Sequence, residues 1–261
     1  MATIRLILEG DPGNISFHSF VTVVNSSLKI VTELDAAISR EHGGLLEWKI
    51  SDLTAGSLII EARSFSRADD RDPGPEVARA FVEGMRQIEV DGTTPPYLSQ
   101  AGLTYAKRLI KVVGANGTRG LRISDLQETV ELTASARANV DDLLKVRRRG
   151  IGSIEGRLDT ISVHGPPRFI VYESRTRKAI TCRFDQTQLL EVAKAALGQR
   201  VYVAGIVADN GRGEPVSIEV KRLRRLGTTD ELPSIADLTG SDPQFTGGVR
   251  TEAYLQEMRG A

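Results

Sequence analysis

Arg175, Arg177, Lys178 and Arg183 crowd one short stretch of the chain, with Phe169 and Tyr172 just ahead of them. Guanidinium and ammonium groups pair with phosphate oxygens and aromatic rings stack on bases, so these residue types are what a single-stranded nucleic-acid site needs. Lys221, Arg222, Arg224 and Arg225 add charge further on. The enclosing block, Lys145 to Leu226, holds 17 basic and 8 acidic residues, against 15 and 20 in Met1 to Leu144 and 2 and 6 in Gly227 to Ala261. The chain as a whole is neutral. The positive field is therefore local, and it suits a nucleic acid or an acidic protein segment, the chain's own tail included.

Patterns that carry catalysis are missing. Gly114 to Gly120 is glycine-rich, but it follows a helical pattern and lacks the Gly-Lys-Ser/Thr that places a P-loop lysine and a magnesium hydroxyl, so it reads as a plain loop. His18, His42 and His164 lie far apart, with no His-x-x-x-His pair to hold a metal. Asp69, Asp70 and Asp72 stand between arginines and a Pro-Gly exit, the composition of a solvated loop. No serine or cysteine has a nucleophile elbow around it. Cys182 is the one cysteine, which excludes an internal disulfide or a cysteine-rich zinc site and reads as a buried structural thiol. The expectation is a protein that is not an enzyme, with no catalytic or metal-ligating residues and no cofactor. With no signal pattern and no run near the roughly 18 apolar residues of a membrane span, a cytoplasmic location away from membranes is expected.

The last residues carry a different signal. Leu226 to Ala261 has too few apolar residues for a core of its own: short anchors such as Leu232 to Leu238 alternate with turn residues, and Glu252 to Arg259 reads as one or two turns of helix. The run Asp242-x-x-Phe245-Thr246-Gly247-Gly248, followed by Glu252, Tyr254, Leu255 and Met258-Arg259, resembles the carboxy-terminal tails of VapB-type antitoxins, which pair with PIN-domain ribonuclease toxins. The likeness is confined to the tail. In that family the tail wraps the toxin and delivers basic side chains to its acidic metal site, carried by a short DNA-binding module that the body of this chain does not match. The resemblance implies that Phe245 and Tyr254 anchor in apolar grooves of the partner, with Leu255 beside them and Gly247 and Gly248 turning the chain. Arg259, or Arg250 in its place, would reach the partner's carboxylates. Two alternatives stay open: the tail folds back on the basic block, or it packs on a neighbouring copy. The functional expectation is thus an antitoxin-like binding protein that neutralises a PIN-type nuclease encoded nearby. The alternative is a nucleic-acid-binding protein with an autoinhibitory acidic tail.

These residues need a scaffold. At 261 residues, 40% apolar and 26% charged, the chain has the composition of an ordinary globular protein with room for two modest domains. Ile4, Leu6 and Leu8 alternate with their neighbours as a strand does. Phe17, Phe20, Val21, Val24, Leu28, Val31, Leu34 and Ile38 recur at helical spacing behind a Ser16 cap. Leu45 to Ile50 and Ser57 to Phe65 read as a hairpin, Pro75 opens a helix with Val77, Phe81, Met85 and Ile88 inward, and another helix starts near Ser99. Two short strands, Leu121 to Ser124 and Glu128 to Leu132, and a helix from Ala136 to Val146 complete an α+β domain. Arg147 to Gly150 reads as the domain junction. Beyond it come a long strand (Ser153 to Val163), a hairpin (Arg168 to Glu173, Lys178 to Phe184), a helix (Thr187 to Leu197) and a second hairpin (Arg200 to Ala208, Pro215 to Leu226). Three strands, one helix and two strands is the layout of the OB-fold, a five-stranded barrel. The expected organisation is an α+β domain over 1–148, an OB-fold-like barrel over 149–226 and an extended partner-binding arm over 227–261.

Overall fold

The computed structural model describes residues 1–10, 13–41, 43–54, 58–115, 117–185, 187–227 and 247–259. The architecture is mixed α/β, with two five-stranded sheets and their helices. By contacts, Met1–Arg225 forms one compact unit and Leu226–Ala261 another.

The first sheet has the order β2-β3-β1-β4-β5, built from β1 (Thr3–Gly10), β2 (Leu46–Thr54), β3 (Leu58–Ser66), β4 (Thr118–Ser124) and β5 (Thr129–Leu132), all antiparallel. Alternation puts Ile4, Leu6 and Leu8 of β1 in the core. Four helices pack with it: α1 (Phe17–Ser39), α2 (Gly74–Arg86), α3 (Gln100–Lys111) and α4 (Ala134–Leu144). Ser16 caps α1 by accepting from Ser19 N at 3.1 Å, and Ser99 caps α3 by accepting from Ala101 N at 3.1 Å. At the far end of α1, the buried carboxylate of Asp35 accepts from Leu45 N at 3.1 Å and Leu46 N at 2.7 Å, which fixes the entry to β2. The α1 face is the expected one at Val31, Leu34 and Ile38, which are buried, and differs ahead of them. Val23, Ser27, Ile30 and Leu34 are buried, whereas Phe17, Val21 and Leu28 are 79%, 43% and 46% exposed. The helix has apolar residues on more than one stripe, and packing against α2 and α3 selects which stripe goes inward.

The second sheet closes on itself. Its strands are β6 (Val146–Ser162), β7 (Arg168–Glu173), β8 (Ala179–Arg183), β9 (Arg200–Asn210) and β10 (Pro215–Arg225), hydrogen-bonded in the ring order β10-β8-β7-β6-β9, with α5 (Thr187–Ala195) between β8 and β9 in the chain. All pairs are antiparallel except β8 with β10. Val216, Ile218 and Val220 are buried as their alternation requires, and Ile218 and Val220 join a second apolar core with Phe169, Phe184 and Cys182. Ser217, placed outward by the same alternation, is buried as well. A Cβ on Gly156 would meet the Tyr172 carbonyl at 2.1 Å and one on Gly205 the Glu219 carbonyl at 1.9 Å. At both glycines the neighbouring strand's backbone comes too close for a side chain. The expected junction Arg147 to Gly150 lies inside β6, paired with β9. The strand that opens the second sheet therefore begins at Val146 rather than at the expected Ser153.

The two cores are joined within the first unit. Tyr97 N donates to the Arg177 carbonyl at 2.9 Å, Arg177 Nη1 donates to Tyr97 Oη at 2.8 Å, and Tyr97 packs on Tyr172 with ring centroids 6.0 Å apart. Glu214 accepts from Thr94 N and Thr94 Oγ1, from Asn210 Nδ2 and from Lys178 Nζ.

Candidate functional site

The aromatic residues expected to stack on bases are not available for it. Phe169 is fully buried, its ring 5.6 Å from that of Phe184. Tyr172 is buried against Tyr97, Ala37 and Ala179. Burial, with the nearby carboxylates of Glu33 and Asp159, pushes the Tyr172 hydroxyl above the ordinary tyrosine range. Phe169 is spent in the ring's core and Tyr172 in the seam against the first core. Two of the four expected cations are also engaged within the protein. Arg177 holds Tyr97 through its hydrogen bond and lies over the ring at 5.9 Å, and Lys178 pairs with Glu214. Arg175 and Arg183 stay exposed. Arg183 borders a shallow hollow of about 90 Å³ with Arg149 and Ile206. Nearby in the ring, Arg224 lies over the half-exposed ring of Tyr202 at 5.9 Å, and Arg222 is exposed on β10.

A larger cleft, about 730 Å³, opens along the seam between the end of α1 and the ring. Arg40, Arg71, Arg157, Arg177 and Arg200 line it, together with Glu76 and Glu173. Arg71 donates to the Ser39 carbonyl at 2.9 Å and the Ile38 carbonyl at 3.0 Å, so one guanidinium closes the carboxyl end of α1. Arg157 pairs with Asp159 at 2.6 Å, and Arg200 pairs with Glu155. Among the described residues the non-glycine positions with left-handed backbone are Arg40 (φ 62°), Tyr97 (φ 64°) and Arg177 (φ 57°), and all three line this cleft. Each such residue costs roughly 1 kcal/mol or more and persists only where its surroundings hold it. Chemically the cleft suits an anion, although two of its five arginines, Arg157 and Arg200, already have carboxylate partners. Sequence reasoning missed it because Arg40, Arg71, Arg157 and Arg200 come from separate elements, and no local spacing connects them.

The arm contributes α6 (Thr251–Arg259), preceded by Gly247 and Gly248 at φ 61° and 85°. Both glycines have the left-handed backbone that a turn ahead of a helix uses. No residue of α6 is fully buried: Tyr254 is half-buried, Leu255 and Met258 are 47% and 64% exposed, and Arg259 closes the last turn in solvent. Helical spacing puts Tyr254, Leu255 and Met258 on one side. Phe245 lies outside the described residues.

Among the described residues no cluster of histidine, cysteine, aspartate and glutamate could hold a metal ion, and no helix is long and apolar enough to cross a membrane. Cys182 is buried, and desolvation raises its thiol well above the usual value. Burial likewise raises the Glu33 carboxyl, although Ser99 N donates to it at 2.6 Å. Compared with known proteins, the chain matches no protein-family model and no curated protein.

Proposed function

We propose that this is an antitoxin-like binding protein that neutralises a PIN-type ribonuclease by laying its C-terminal arm into the enzyme's acidic site. The observation that carries this reading is the state of α6. It has nine residues, none fully buried, with Leu255 and Met258 on its surface. An isolated helix shorter than about 12 residues is marginal in water, so a partner that covers this apolar side supplies the missing stabilisation. Tyr254 and Leu255 are the anchors and Arg259 the group for the partner's carboxylates, with Phe245 and the Gly247-Gly248 turn completing the contact. The body is then a carrier, in which the ring with its helix between the third and fourth strands is an OB-fold-like barrel. The test is co-expression with the product of the adjacent gene. Full-length protein should suppress a ribonuclease activity, and removal of residues 242–261 should restore it while the body stays folded. Undiminished inhibition by the truncated protein would refute the reading.

A second reading has its own support, the exposed Arg149, Arg183, Arg222 and Arg224 of the ring, with Arg224 over the half-exposed Tyr202. Such a surface suits single-stranded nucleic acid, with the acidic arm as competitor. Fluorescence anisotropy with single-stranded oligonucleotides should then show binding that weakens steeply with salt and strengthens when residues 227–261 are deleted. No binding at low salt, with or without the arm, rejects it.

A further inference from the structure

Left-handed backbone is cheap for glycine, and among the described residues glycine takes it at eleven positions. The three exceptions are Arg40, Tyr97 and Arg177, and each of them lines the cleft between the end of α1 and the ring. Local structure explains the backbone at two of these positions but not the residue. Arg40 is the cap that ends α1, and Arg177 ends the turn between β7 and β8, its N–H donating to the Glu173 carbonyl at 2.9 Å. Glycine or asparagine meets both demands with less strain. The chain keeps a long side chain at each position despite that cost, and strain of this kind collects at ligand sites.

The charge around the cleft points the same way. Arg157 and Arg200 are neutralised by Asp159 and Glu155. Arg71 is held by the two carbonyls at the end of α1, and Arg177 by the Tyr97 hydroxyl, partners that leave the positive charge uncancelled. Arg40 is exposed and, among the described residues, has neither a hydrogen-bond nor an ion-pair partner. Three uncompensated guanidiniums from three separate segments therefore meet at one cleft. Tyr97 Oη accepts from Arg177 and so keeps its own proton for a further acceptor.

We propose that this cleft binds a diphosphate ester whose organic part carries hydroxyl groups, the chemistry of a nucleoside diphosphate. Arg40, Arg71 and Arg177 take the phosphoryl oxygens, because the guanidinium fork matches phosphate geometry, and the Tyr97 hydroxyl donates beside them. A terminal phosphate carries a charge of about −1.5 to −2 and the internal one adds to it, so a diphosphate matches three cations where a single phosphate does not. The cleft's volume, about 730 Å³, lies within the range of roughly 300–1,000 Å³ common for small-ligand sites. That leaves room for an organic body beside the phosphates. Glu76 and Glu173 also line the cleft, and they accept from its hydroxyls as an acidic side chain does from ribose in dinucleotide-binding folds. The site belongs to the body of the protein and stands whether or not the arm inhibits a nuclease.

The probes are ADP, AMP and inorganic diphosphate, titrated into the full chain at low salt by isothermal calorimetry. ADP should bind saturably and about tenfold tighter than AMP, the factor expected of one charge-assisted contact. Inorganic diphosphate should displace it but bind more weakly. Arg40→Gly should weaken ADP by about the same factor of ten, while the melting temperature of the free protein holds or rises, because glycine relaxes the φ of 62°. An arginine kept only for the fold would lower both together. Arg40→Lys keeps the charge without the fork and should recover part of the affinity. Arg175→Gln removes an exposed charge from the same turn as Arg177, outside the cleft, and should leave ADP binding unchanged. The proposal is overturned by the absence of saturable ADP binding, by equal affinities for ADP and AMP, or by inorganic diphosphate binding as tightly as ADP. It is equally overturned if Arg175→Gln weakens ADP as much as Arg40→Gly does, or if Arg40→Gly leaves ADP binding intact.

Discussion

Replacing Glu214 by alanine removes one carboxylate that ties three segments together. Its two oxygens accept from Thr94 N at 3.2 Å, Thr94 Oγ1 at 2.7 Å and Asn210 Nδ2 at 3.0 Å, and they pair with Lys178 Nζ. Thr94 belongs to the first core's side of the seam, Asn210 is the last residue of β9 and Lys178 directly precedes β8. Hydrogen bonds to a charged group contribute about 1.5–3 kcal/mol each when their partners are left buried. Glu214 and Lys178 keep 15% and 20% of their side-chain exposure, so water recovers part of that loss. A cost of about 3 kcal/mol is therefore expected, below the upper end for a broken buried pair. Urea denaturation at pH 7, followed by circular dichroism, measures it. Combining Glu214→Ala with Lys178→Met should cost about 1 kcal/mol less than the two single changes added together, because each removes the same pair. The pH dependence supplies a further check. Burial alone would raise the Glu214 carboxyl, but the donors Lys178, Thr94 and Asn210 outweigh it and hold the group below the ordinary glutamate value of 4.5. A depressed carboxyl stabilises the fold above its unfolded value, and that contribution is lost as pH falls through the folded one. The stability gap between wild type and Glu214→Gln should be full at pH 7 and shrink below pH 4.5. A loss under about 0.5 kcal/mol for Glu214→Ala, or strictly additive single changes, would refute the view that this carboxylate clamps the seam.

Three further outcomes follow from the ring. Ile218→Ala, at a side chain only 1% exposed, should lower stability by roughly 2–5 kcal/mol in the same urea assay. Gly205→Ala forces a Cβ onto the Glu219 carbonyl, so the β9-β10 pairing should loosen, seen as faster amide exchange at Ile206 and Val220 and a lower melting temperature. Cys182, buried with its thiol pushed upward, should resist a thiol-specific disulfide reagent in the native protein and react promptly in denaturant.

Much of the element order was legible because it rests on local rules. Ser16 and Ser99 cap their helices through their own side chains, and the alternation in Val216, Ile218 and Val220 points them inward whatever lies across the ring. The candidate sites were less legible. Phe169 and Tyr172 have the chemistry of stacking residues, yet the same alternation that makes their strand sends Phe169 into the core, and Tyr172 is covered by Tyr97 across the seam. Arg147 to Gly150 carries the local marks of a junction, yet β9 offers its backbone partners, so the strand begins at Val146 rather than Ser153.

By itself, then, the sequence determined the order and type of most strands and helices, the split of charge between middle block and arm, and the shortage of apolar residues in Leu226 to Ala261. Period, capping and composition are properties of neighbouring residues and need no partner from elsewhere in the chain. Only the tertiary structure decided which stripe of α1 is buried and which cations are already paired. It also gathered Arg40, Arg71, Arg157 and Arg200 around one cleft, and left Ser27 Oγ and Trp48 Nε1 buried without partners. Those outcomes depend on which distant surfaces meet, and burial and electrostatic pairing are settled at that meeting.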